Sequence, residues 1–173
     1  MNHNRKILLV GGSGYIGTVV TSYFLNQGVK IRSFDNYIYN HGSVCIPFLH
    51  NDLFEQYYGD ISKISEFDKA LSGITDVVIL AGLVGDPITK KYPKLSEEIN
   101  NTALKDCISL VKKKGIKKLI FVSTCSNYGL IKDDIKAKED HVLNPLSLYA
   151  KAKVEIENFL LSPIKDKNFC PTV

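Results

Sequence analysis

The fold is decided by Lys6-Ile7-Leu8-Leu9-Val10-Gly11-Gly12-Ser13-Gly14-Tyr15-Ile16-Gly17. An apolar run of strand length passes straight into a glycine cluster, and a helical pattern follows from Tyr15 to Asn26. The glycines at 11, 14 and 17 spell G-x-x-G-x-x-G, a spacing variant of the dinucleotide-binding turn. In such a turn Gly11 lets the chain leave the strand and Gly14 lets backbone amides approach a pyrophosphate. Gly17 lets the helix pack closely, and the helix N-terminus meets the anion with its partial positive charge.

The same grammar extends outward. Strands are expected at 29–34, in a weak run ending at Tyr57-Tyr58-Gly59, at 76–80 and at 118–122. Helical patterns are expected at about 64–71, 95–114 and 146–161, and residues 35–52, rich in Asn, Tyr and His, read as loop. Apolar runs alternating with helices predict an α/β fold, a doubly wound parallel sheet covered on both faces. The segment Asn168-Phe169-Cys170-Pro171-Thr172-Val173 reads as the opening of a sixth strand, so the sheet is expected to stop inside that strand. Residues 1–173 read as one domain.

Composition narrows the function. The 173 residues are 45% hydrophobic and 23% charged, with net charge +4, as in an ordinary soluble globular chain. Five lysines (Lys112, Lys113, Lys114, Lys117 and Lys118) crowd much of the basic charge into one stretch, unlike a nucleic-acid-binding face. No apolar run reaches the roughly 18 residues of a membrane span. The N-terminus lacks a signal-peptide core and cleavage site, so a cytoplasmic protein is expected. Cys45, Cys107, Cys125 and Cys170 have neither zinc-ligand nor disulfide-framework spacing, and are expected as reduced, mostly buried thiols.

Three further features carry chemistry. Asp35 closes the second strand, 18 residues after Gly17, where a carboxylate accepts from adenosine ribose hydroxyls and repels a 2′-phosphate. That favours NAD over NADP. Arg32 is expected to point along its strand, leaving the acid in place. Asp60, after the third strand, either reaches an adenine edge or caps the next helix. Tyr149 and Lys153, four apart, share a helix face. A lysine ammonium beside a phenol of pKa about 10 stabilises the phenolate, so that the pair can take a proton from an alcohol. The segment Ser123-Thr124-Cys125-Ser126-Asn127-Tyr128-Gly129 places hydroxyls at the carboxyl end of the fifth strand, where ligands of open α/β sheets gather.

Together these residues resemble the extended short-chain dehydrogenase/reductase family, the NAD-dependent epimerases and dehydratases of nucleotide sugars. The resemblance implies a Rossmann-like NAD-binding fold. The cofactor would be held by Gly11, Gly14, Tyr15, Ile16 and Gly17, by Asp35 and Asn36, and by Asp60 and Ile61. Leu80, Ala81 and Gly82, in a segment that usually ends in two alanines, and Asn100, which opens the long helix, complete that set together with Tyr149 and Lys153. It assigns Thr124 to the catalytic Ser/Thr position, Tyr149 to the acid/base and Lys153 to its partner, with no metal. The segment Val84-Gly85-Asp86-Pro87 is similar to a subgroup of these proteins. The partner it implies is a nucleotide-sugar, and relatives often form homodimers through the helices at 95–114 and 146–161.

Two departures matter. The family's Gly-Thr after the helix-opening asparagine is Ala103-Leu104 here. Relatives also continue into a C-terminal lobe that holds the nucleotide-sugar, so this chain resembles their N-terminal part and is expected to be inactive alone. Dehydration usually requires a carboxylate pair beside the Ser/Thr. With Cys125 and Ser126 there, epimerase or simple oxidoreductase chemistry is favoured. The alternative is a non-catalytic Rossmann module that binds NAD or another protein. A short-chain dehydrogenase of small alcohols is disfavoured by the glycine spacing and the 123–129 segment.

Overall fold

The first apolar run becomes the centre of a sheet because both of its faces are buried. In the computed structural model, which describes residues 5–40, 42–131, 136–162 and 168–173, Ile7, Leu8, Leu9 and Val10 are at most 2% exposed. The strands are β1 (Lys6–Val10), β2 (Lys30–Asp35), β3 (Phe54–Tyr58), β4 (Asp76–Ile79), β5 (Lys118–Phe121) and β6 (Cys170–Thr172). All pairs are parallel, in the order β3-β2-β1-β4-β5-β6. The chain therefore reverses direction across the sheet between β1 and β4, and Val10 faces Phe34 on one side and Ile79 on the other.

Helices α1 (Tyr15–Asn26), α2 (Ile64–Ala70), α3 (Asp86–Lys91), α4 (Pro93–Glu97), α5 (Leu104–Lys113) and α6 (Leu148–Leu161) connect the strands. Alternation along β1 divides the core. Leu8 and Val10 join Phe34, Phe67, Val111, Phe121 and Ile156 under α2, α5 and α6. Ile7 and Leu9 join Leu25, Ile31, Cys45 and Phe54 under α1.

Four expectations change. Residues 35–52 are not all loop: Gly42–Phe48 winds as a 3₁₀ helix that seats Cys45 in the core. The long helix expected at 95–114 starts at Pro93 and contains a π-helical stretch, Glu98–Ala103, between α4 and α5. That wider turn presents Asn100 and Asn101, both buried, to different neighbours: Asn100 to the 83 loop, Asn101 to Glu97 and Glu155. The sheet is also not covered on both faces throughout. Ile120 in β5 is 46% exposed, because among the described residues α1 covers the β1–β2 side and no helix lies over β5 there. The sixth strand forms and pairs with β5. The thiols are also less buried than expected: Cys45 and Cys107 are buried, while Cys125 and Cys170 are exposed, and all four are free.

Candidate active site

The carboxyl ends of β1, β2 and β4 open onto a cleft at the point where strand order reverses, the usual ligand position in such sheets. Val10 and Gly11, where β1 passes into the glycine turn, line it. Gly11 has φ +84°, and a Cβ there would lie 2.8 Å from the backbone nitrogen of Ala81. A Cβ on Gly17 would lie 2.5 Å from the carbonyl oxygens of both Gly11 and Gly12, so only glycine lets α1 close onto the turn. Gly12 also matters, beyond the expected spacing: its Cβ would meet Ser33 Oγ at 2.5 Å.

Gly14 caps α1 without any side-chain hydrogen bond, and no acidic residue occupies the first turn. The first amides of α1 therefore have no intrahelical acceptor, which suits the turn to an anion. Tyr15 and Ile16, at the start of α1, are 92% and 52% exposed.

Asp35 is half-buried at the end of β2 and accepts from Ser13 N at 3.0 Å and Tyr37 N at 2.8 Å. It ties the glycine turn to the strand end while lining the cleft. Asn36 donates to Asp60 Oδ2 at 3.1 Å. Burial works against the Asp60 charge. Hydrogen bonds from Ser62 and Asn36, with the charge of Lys63, nevertheless hold it below the usual carboxylate range. Asp60 does not cap α2, whose N-cap is Lys63; it organises the 60–63 turn and lines the cleft. Arg32 is spent elsewhere, on Glu55 and the carbonyls of Ala70 and Ser72.

The other wall is Gly59, Ile61, Ala81, Gly82, Leu83 and Ile99. Ile38, Leu83 and Ile99 were not expected there; their only sequence signal is apolar character beside the turns. Two expected cofactor residues face elsewhere. Leu80 packs into the α1-side core, as alternation from Ile79 dictates. Asn100 is 2% exposed, and its amide is used up on Leu83 N (2.8 Å), Leu83 O (3.0 Å) and Ser96 Oγ (3.2 Å). It braces the cleft wall and has no donor left for a ligand.

Thr124, Tyr149 and Lys153 lie beyond this cleft, at the end of β5 and the start of α6. Thr124 is the N-cap of a 3₁₀ turn, Cys125–Tyr128, with its Oγ1 accepting from Ser126 N at 3.3 Å. Ser147, not singled out from sequence, caps α6 by accepting from Ala150 N at 3.1 Å. Lys153 is 4% exposed; its Nζ donates to Val122 O at 2.8 Å, lies 4.3 Å from the Phe121 ring centre and 5.7 Å from that of Tyr149. Burial lowers its pKa to about 8, opposed by the charge of Glu157. Burial pushes the Tyr149 phenol up, opposite to the direction expected from a neighbouring lysine. The reason is geometric: the ammonium is directed to a carbonyl and not to the phenol oxygen.

Among known proteins, the pattern of the NAD dependent epimerase/dehydratase family matches residues 7–173. The chain belongs to that family. It is 30% identical over 158 residues to the UDP-glucose 4-epimerase of Rhizobium leguminosarum bv. trifolii, covering 90% of this chain and 46% of that protein. It is 27% identical over 157 residues to N-acetyl-alpha-D-glucosaminyl-diphospho-ditrans,octacis-undecaprenol 4-epimerase of Escherichia coli O157:H7, covering 91% and 43%. In fold it is similar to UDP-glucuronic acid 4-epimerase from Bacillus cereus, solved with UDP-glucuronic acid and NAD. That match has a TM-score of 0.83 at 23% identity and covers 96% of this chain and 54% of that one. This family member thus spans about half the length of the curated relatives it matches. No helix among its described residues is long and apolar enough to cross a membrane.

Proposed function

We propose that this chain is the NAD-binding and proton-transfer half of a nucleotide-sugar epimerase-type enzyme. The observation that carries the reading is the uncapped N-terminus of α1 at the strand-order reversal, with Asp35 closing β2 beside it. The residues fit NAD. The glycine cradle leaves no room for a Cβ at 11 or 17, the free amides suit a pyrophosphate, and Asp35 offers acceptors to ribose hydroxyls. When bound, NAD supplies an acceptor for hydride and can return it.

The chain's own residues supply the proton chemistry. Tyr149 takes the proton of a sugar hydroxyl, and Thr124 Oγ1 holds that hydroxyl's oxygen. Burial pushes the Tyr149 phenol up, so in this reading its basic form requires the Lys153 ammonium, 5.7 Å from the ring centre, to turn from Val122 O toward the phenol oxygen. Cys125 and Ser126 beside Thr124 provide no carboxylate pair for dehydration, which favours epimerisation or simple oxidation. A homodimer through α5 and α6 is part of the same reading.

The test is a chimera joining residues 1–173 to the C-terminal half of a UDP-glucose 4-epimerase, assayed with a panel of nucleotide-sugars. Turnover is expected, and Tyr149→Phe should lower it about 10²–10⁴-fold with NAD affinity nearly unchanged. Wild-type rates in Tyr149→Phe would remove Tyr149 from the acid/base role.

A further inference from the structure

Three residues around Thr124 depend on Glu157 or on its helix. Asn127 Nδ2 donates to Glu157 Oε1 at 2.5 Å, and Ser123 Oγ donates to the same oxygen. Asn127 Nδ2 also donates to Ser123 Oγ at 3.0 Å, which closes a triangle. Ser123 directly precedes Thr124. Asn127 follows it by one turn, with its backbone N donating to Thr124 O at 3.3 Å. One helical turn before Glu157, Lys153 holds Val122 O. The two anchors are separated by about 6 Å along α6. They therefore grip Val122, Ser123 and Asn127, the residues on either side of Thr124.

We propose that Glu157 is a positioning residue: its carboxylate fixes the Thr124 turn against α6, and with it the relation of Thr124 to Tyr149 and Lys153. The inference rests on the proposed roles of those three residues. Asn127 is 2% exposed, so its amide group has no water to replace a lost carboxylate. Glu157 also acts on Lys153, being the charged group that opposes the effect of burial on that ammonium. From β5, Lys153 meets the Phe121 ring and the Val122 carbonyl; from α6, it meets Tyr149 and Glu157. One carboxylate thus serves both the hydroxyl turn and the lysine.

The experiment uses the 173-residue chain with ¹³C-labelled lysine ε-carbons and threonine methyls, read by NMR across pH. Lys153→Arg and Thr124→Ser identify the two signals. In Glu157→Gln, the Lys153 midpoint should fall by about one pH unit and the Thr124 methyl should shift. Glu157→Asp keeps the charge on a shorter side chain, so it should restore most of the Lys153 midpoint while leaving the Thr124 signal displaced. Ser123→Ala, which leaves the carboxylate in place, should displace Thr124 alone. An unmoved Thr124 methyl in the Gln, Asp and Ala variants would overturn the proposal, whatever their melting temperatures. So would an unmoved Lys153 midpoint in Glu157→Gln. Should Glu157→Gln fail to fold, the Asp and Ser123→Ala variants decide. Both signals are read without cofactor, so failure of the wild type to bind NAD would count against the proposed function and not against this role.

Discussion

At the β1–β3 end the site is shaped by backbone. Amides of Ser13 and Tyr37 meet Asp35, carbonyls of Gly11 and Gly12 crowd Gly17, and the first α1 amides have no side-chain cap. At the β5–α6 end it is shaped by side chains around a buried charge: Lys153 on Val122 O, and Glu157 on Ser123 and Asn127. Sequence separation does not distinguish the two regions. Ser13–Asp35 spans 22 residues and Lys153–Val122 spans 31. What differs is the chemistry of the tether. A site made of missing Cβ atoms should be sensitive to added volume and indifferent to mild alkali, whereas a site hung on a buried ammonium should behave the opposite way.

The largest effect is expected from volume at the glycine end. Gly17→Val should destabilise the chain by about 1–3 kcal/mol, because two carbonyls must move. It should also weaken NAD binding more than about tenfold, equivalent to about 1.4 kcal/mol. Thermal melting and titration calorimetry check both. Wild-type affinity in this variant would mean that the turn has slack that its contacts do not suggest.

A smaller effect is expected from the lysine. Its pKa falls from 10.5 in the unfolded chain to about 8 in the fold, so burial of its charge costs stability wherever both states are protonated, below about pH 8. Between that value and 10.5 the folded state releases the proton first, and wild-type stability rises with pH. Lys153→Met lacks this response, so the wild type should gain stability relative to it as pH rises from 7.5 to 10. Melting curves of both proteins at matched pH give the difference, which cancels other groups such as Cys107, whose thiol burial pushes up to about 12. A constant difference across that range would place Lys153 in better solvated surroundings.

The comparison also explains what the sequence made legible. Glycines whose Cβ would strike backbone leave a spacing that can be read directly, and Asp35 follows from its position at the end of β2. Strands β1 and β4 are apolar runs because both faces are covered, so they are readable to within a residue or two. The 3₁₀ helix at Gly42–Phe48 carries no period longer than its own length. The π-helical stretch was hidden because Asn100 and Asn101 look like ordinary helix residues until their partners, Leu83 and Glu155, are known. Where Leu80 and Asn100 face is set by strand alternation and by a saturated amide, which motif spacing does not show. Glu157 gave no signal, since a glutamate on a helix normally reads as a solvated residue.

The central claim is that the glycine turn and Asp35 form an NAD site within these 173 residues. Isothermal titration with NAD and with NADP tests it most directly, using the wild type, Asp35→Ala and Asp35→Asn. Ser13 N and Tyr37 N donate to different oxygens of Asp35, so asparagine removes the charge but keeps an acceptor for only one of them, while alanine keeps neither. The account predicts that the wild type binds NAD more tightly than NADP, and that the preference narrows in both variants. Absence of binding to either cofactor, or equal or tighter binding of NADP by the wild type, would contradict it.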